Sequence, residues 1–106
     1  MSTIIAMTAK RVSSPIFFPR LTEFHRDMQY AVTNFPGYIK SQHYIGVQTD
    51  DDNLMFTFSE WDHKQFWDIW ETSKKRTEII DNYWNPHEIK IKTFILNKPQ
   101  QDLFLL

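Results

Sequence analysis

Two histidines and a cluster of large aromatic rings are the side chains of this sequence best suited to chemistry. His25 follows Leu21 by four residues and precedes Met28 by three, so it borders the apolar stripe of a helix. An imidazole titrates near neutrality, so one placed there can accept a proton from a phenol or quinol. The same position equally suits a boundary histidine whose polar tip reaches backbone or solvent. His43 shares one strand face with Ile39, Ser41, Ile45 and Val47, and reads either as pocket lining or as a satisfied buried group. His63 and His87 sit in a first helical turn and just after Pro86, and both are expected in solvent. No two histidines have metal-ligand spacing, and Asp50-Asp51-Asp52 lacks the spaced ligands and distal Glu of a calcium loop. Trp61, Trp67, Trp70 and Trp84, with Phe66 and Tyr83, could wall a planar aromatic ligand, and each alone would serve as ordinary core. His25 and Trp70 are the expected catalytic residues. Met28, His43, Tyr44, Phe66, Trp67, Tyr83 and Trp84 are the expected substrate-binding set.

Composition narrows the chemistry. The chain has 106 residues, which makes one domain, and its net charge of −1 gives no basic field for nucleic acid or an anionic membrane. There is no Cys, so a thiol nucleophile, a disulfide and a zinc–thiolate site are excluded. Two glycines, Gly37 and Gly46, cannot make a phosphate loop. No apolar run reaches the ~18–20 residues that span a bilayer, and no secretory signal pattern is present, so a cytoplasmic location is expected. Aromatic residues make up 16% of the chain, enough rings to suggest a second buried surface, either cavity or interface.

The elements that must position these residues are legible in order. Residues 3–12 read as a strand. Leu21, Phe24, Met28, Ala31, Val32 and Phe35 recur at helical spacing, with Arg20, Glu23, Arg26 and Asp27 opposite. Pro36 stops that helix and Gly37 permits the reversal. Residues 38–48 form a second strand, with Tyr38, Lys40, Gln42, Tyr44 and Gly46 on one face. Asp50–Asn53 turns, and 54–61 return as a third strand. Asp62 is the expected cap of a second helix, with Gln65 completing a capping box and Phe66, Ile69, Trp70 and Ser73 as the inner stripe. The pattern loosens near Ser73 and resumes as an offset helical segment through Trp84. Residues 88–96 alternate as a last strand. The order βαββαβ predicts an α+β, ferredoxin-like fold with a four-stranded antiparallel sheet and both helices on one face. The other face is apolar, and a second copy is its expected cover.

Phe35-Pro36-Gly37-Tyr38, Ser59-Glu60-Trp61 and Asp62-His63-Lys64-Gln65-Phe66 together resemble the antibiotic biosynthesis monooxygenase family of dimeric α/β barrels, over roughly residues 3–96. The resemblance implies a homodimer, with residues 1–97 as the domain and 98–106 as a tail on the partner. It implies a pocket between sheet and helices in each subunit, and members that oxygenate polyketide quinols without a cofactor or degrade haem. Met7 stands near the Asn of the haem-degrading members, and Ile79 and Ile80 occupy the region of their iron-ligating His, so that site does not carry over. Two functions follow as expectations. One is a small monooxygenase-like protein for a planar aromatic or quinol substrate, with no bound cofactor. The other is a non-catalytic dimeric binding protein for an apolar metabolite or haem.

Overall fold

The computed structural model describes residues 3–46 and 53–97. The expected Asp50–Asn53 turn, save Asn53, and the 98–106 tail with its Leu103–Leu106 end lie outside the described residues. The elements run β1 (Ile4–Val12), α1 (Phe17–Thr33), β2 (Tyr38–Ile45), β3 (Asn53–Trp61), α2 (Lys64–Glu71), α3 (Lys74–Tyr83) and β4 (Ile89–Asn97). The sheet order is β2-β3-β1-β4, and every pair is antiparallel. This is the α+β, ferredoxin-like arrangement that the element order predicts.

The chain from α1 into β2 behaves as Pro36-Gly37 requires. α1 ends at Thr33, and Gly37 adopts φ +80, a conformation that L side chains rarely adopt. A Cβ on Gly37 would lie 2.3 Å from the Phe66 ring, so the glycine also makes room for α2. Its carbonyl accepts the Asp62 N–H at 2.8 Å.

Local readings are corrected at three places. A β-bulge between Tyr38 and Lys40 breaks the alternation of β2, so Tyr38 pairs with Trp61 while Lys40 pairs with Glu60. Tyr38 therefore joins Ser41 on the helix side instead of Tyr44 on the other. The N-cap of α2 is His63 instead of Asp62 and makes no side-chain cap bond, and the Asp62 N–H donates to Gly37 instead of closing a capping box with Gln65. In α2 the buried pair is Trp67 and Trp70, each 3% exposed, while Ile69 is 56% exposed. The short helix turns its two bulkiest rings inward, and Phe66 moves to the edge over Gly37. The offset segment is α3, capped by Ser73, whose Oγ accepts the Arg76 N–H at 3.2 Å.

Helices and sheet enclose two apolar clusters. One gathers Val12, Phe17, Leu21, Phe24, Met55, Ile79, Ile80 and Trp84. The other gathers Ile4, Ala6, Val32, Trp61, Trp67 and Trp70. Met28 and Ala31 of α1 pack against both. Between the clusters the helix-facing side of the sheet turns polar. β1 reads Ile4, Ala6, Thr8, Lys10, Val12, all buried, and β3 reads Met55, Thr57, Ser59, Trp61. Register aligns His43, Thr57 and Thr8 across three strands.

Candidate functional site

That polar rung floors a cavity of about 40 Å³ between the sheet and α1, α2 and α3. Thr8, Lys10, Ser41, His43, Thr57 and Ser59 rise from the sheet. His25, Met28 and Gln29 come from α1, Trp67 and Trp70 from α2, and Arg76 from α3. Phe24, Trp61, Trp67 and Trp70 make the apolar wall. Hydroxyls, two imidazoles and two basic side chains gathered in one largely buried cavity are costly unless a ligand or water meets them.

His25 and His43 stack with ring centroids 4.4 Å apart and planes 24° off parallel. His43 Nδ1 lies 2.9 Å from Thr57 Oγ1, and the Nε2 atoms of both rings are buried with no partner. When Nδ1–H donates to Thr57, His43 Nε2 carries the free lone pair of a base. Burial, then the charges of His43 and Lys10, lower His25 to about 4. Burial and then Lys10 also lower His43. Both rings are therefore neutral at pH 7.

Lys10 is 3% exposed, and its Nζ donates to Thr8 Oγ1 at 3.1 Å. Burial, then the charge of Arg76, lower it to about 7. Arg76 is buried too; its guanidinium donates to the Glu71 carbonyl at 3.3 Å and lies 5.6 Å from the centroid of the Trp67 ring. Burial lowers its pKa, and the Glu71 charge opposes that. Gln29 bridges the partly exposed side of the cavity, where α1 meets β2. Its Nε2 donates to Tyr38 Oη at 2.9 Å and its Oε1 accepts from Ser41 Oγ at 3.0 Å.

The structure brings five of the expected site residues together at this cavity: His25, Met28, His43, Trp67 and Trp70. Four lie elsewhere. Tyr44, 51% exposed, is on the opposite face of the sheet with its ring against Phe58, because β2 alternates again after its bulge. Phe66 rests over Gly37. Tyr83 and Trp84 belong to the other apolar cluster, where the Tyr83 hydroxyl donates to the Asp27 carboxylate and Trp84 stacks on Phe17. That bond raises the Tyr83 pKa. Sequence reading missed Thr8, Lys10, Gln29, Tyr38, Ser41, Thr57, Ser59 and Arg76 as lining residues, while Trp61, read as a possible wall, does line the cavity. The available signal was Thr8 and Lys10 two apart on an otherwise apolar strand face. Among the described residues no three His, Asp or Glu side chains converge to hold a metal.

No protein-family profile matches the chain, and no curated protein sequence matches it. Solved structures do. A Bacillus cereus protein assigned as an antibiotic biosynthesis monooxygenase is 15% identical with a TM-score of 0.64, over 95% of this chain and 97% of that one. A variant of SnoaB, a cofactor-independent oxygenase from Streptomyces nogalater, is 7% identical with a TM-score of 0.73, over the same shares. A variant of MhuD, with two manganese protoporphyrin IX molecules bound per active site, is 16% identical with a TM-score of 0.68, over 92% of this chain and 96% of that one.

Proposed function

From a chain with the fold of the antibiotic biosynthesis monooxygenases, we propose a small monooxygenase-like protein. It acts on a planar aromatic or quinol-type substrate without a bound cofactor. What supports this reading is the stacked His25–His43 pair, two neutral imidazoles with unpartnered Nε2 atoms in a cavity walled by tryptophans. The wall takes a flat ring, and an imidazole takes its proton. The substrate C–H proton passes to Nε2 and leaves a carbanion that holds the electrons the reaction needs. The carbanion gives one electron to O2, and the two radicals join through a new C–O bond. The hydroperoxide so formed loses water as its O–O bond breaks, and the carbon becomes a ketone. The buried wall keeps bulk water from quenching the carbanion.

A single ring needs a space of ~150 Å³, so substrate entry displaces Gln29 and Met28 at the α1–β2 side. A porphyrin needs several times more. The residues present do not fit haem: the lining of a cavity of about 40 Å³ would have to be rebuilt to admit a porphyrin. We also propose that the protein is a homodimer, closed through the outer sheet face that carries Tyr44, Phe58 and Phe94.

The test is oxygen uptake with dithranol, an anthrone, and with a quinol, corrected for autoxidation. One O2 consumed per quinone formed is expected, with His43→Ala and His25→Ala each losing ~10²-fold. Uptake no faster than autoxidation for both substrates refutes the reading.

A further inference from the structure

The proposed chemistry leaves Lys10 unused, yet Lys10 is a lysine buried to 3% exposure that lines the cavity. We infer that the cavity is built to receive an anion, an oxyanion on a planar ring, seated against Lys10 Nζ with Arg76 lining the same space. The oxyanion is a ring carboxylate or an ionised phenol.

An ammonium has three N–H donors, and Lys10 satisfies one of them, at Thr8. The groups whose charge bears on it are His25 from α1, His43 from β2 and Arg76 from α3, and none is an anion. Among the described residues no Asp or Glu lines the cavity. Arg76 is partly answered by Glu71 and by the Trp67 ring. Lys10 has neither kind of relief. Buried cations are normally paired, and none of the described residues supplies an anion here. The surroundings suit an oxyanion on a ring: the Thr57 hydroxyl lines the same cavity as Lys10, and the walls are flat indoles.

Burial has already brought the ammonium to the edge of deprotonation, at about 7. An arriving anion reverses that and draws a proton onto Lys10. Binding is therefore coupled to proton uptake, and affinity falls roughly tenfold for each pH unit above about 7. The same anion site serves the proposed oxygenation, because imidazoles held this weakly basic need their product anion stabilised. The inference rests on that reading only for treating the cavity as a ligand site.

The experiment measures binding without turnover, so its outcome is separable from oxygen uptake. Full-length protein is titrated by calorimetry and thermal shift with benzoate, 4-nitrophenolate, their neutral counterparts benzamide and nitrobenzene, and sodium nitrate, at several pH values from 6 to 9. Each bound anion is expected to exceed its neutral counterpart at least tenfold in affinity, with proton uptake seen as a buffer-dependent heat. Lys10→Met is expected to lose that preference. Benzoate binding alone assigns a carboxylate, and nitrophenolate alone assigns an ionised phenol. Neutral counterparts binding as well as the anions, or anion affinity that does not fall from pH 7 to 9, overturns the inference without any variant. So does a thermal response to nitrate and both ring anions no larger than that of Lys10→Met.

Discussion

Replacing Lys10 by methionine should make the protein more stable, and the size of the effect follows from the burial of one ammonium. Its pKa falls from 10.5 to about 7. At about 1.4 kcal/mol per pH unit, this separates the protonated and neutral forms by roughly 5 kcal/mol. Between about pH 7 and 10.5 the unfolded chain binds the proton that the folded chain has lost, so stability rises with pH across that window. Below about 7 both states are protonated and the whole penalty is present. Methionine keeps the length of the side chain and carries no charge, but it leaves the Thr8 hydroxyl without its donor, at a cost of about 1 kcal/mol. Relaxation around the charge reduces the rest, and swaps of buried ions for apolar residues typically gain ~1–4 kcal/mol. For a domain of this size that raises the melting temperature by at least about 4 °C at pH 7. The assay is thermal and urea unfolding of both proteins from pH 6 to 10.5. The gain should be largest at and below pH 7 and shrink towards pH 10.5, where Lys10 approaches neutrality in both states. A variant less stable at pH 7, or a difference that stays flat from pH 7 to 10, refutes the reasoning.

Gly37→Ala should destabilise by more than ~2 kcal/mol, since it forces a methyl into the Phe66 ring at φ +80; urea unfolding reads it directly, and a neutral change would mean that α2 shifts freely. Gln29→Ala removes both bonds that tie α1 to Tyr38 and Ser41, so benzoate should bind and leave faster by stopped flow; unchanged rates would move the entrance elsewhere. Sedimentation at micromolar concentration should give a dimer, and Phe94→Glu on the outer sheet face should shift it to monomer without unfolding; a natural chain that sediments as a stable monomer refutes the assembly.

The fold was legible because its signals are local. Pro36 must end a helix, Gly37 must reverse the chain, and the strand that ends at Glu60-Trp61 meets a polar residue and then a helix. Each is decided within a few residues by backbone sterics and periodicity. The site was legible only where a residue's own chemistry announced it, as for His25, His43 and the α2 tryptophans. Tyr38 was misplaced by one bulge, because a single extra residue at Tyr38/Lys40 exchanges the faces before and after it, and Tyr44 was drawn into the site although strand alternation already set it opposite His43. Ile69 and Trp67 exchanged roles because α2 spans only Lys64–Glu71, two turns, too short for periodicity to fix its rotation. Lys10 was missed because a lysine near the end of a strand ordinarily lets its amine reach water. Here α1 and α3 close over it, a tertiary fact that no window of sequence contains.

The placement of that lysine also separates a site from a core. Apolar residues would fill the space between the two clusters at lower cost, as Ile4, Ala6 and Val12 do on the same strand face. Instead the middle of β1, β2 and β3 carries Thr8, Lys10, Ser41, His43, Thr57 and Ser59 on the same sheet face, and α3 adds Arg76. A structural polar network would satisfy itself. This one leaves two imidazole Nε2 atoms and an ammonium short of partners. The unmet donors are those of Lys10, and among the described residues no carboxylate lines the cavity to answer them. What completes such a set is a flat, electron-rich anion. That is also the species whose formation the proposed oxygenation requires, so the stability lost at Lys10 and the chemistry assigned to His25 and His43 have one physical origin.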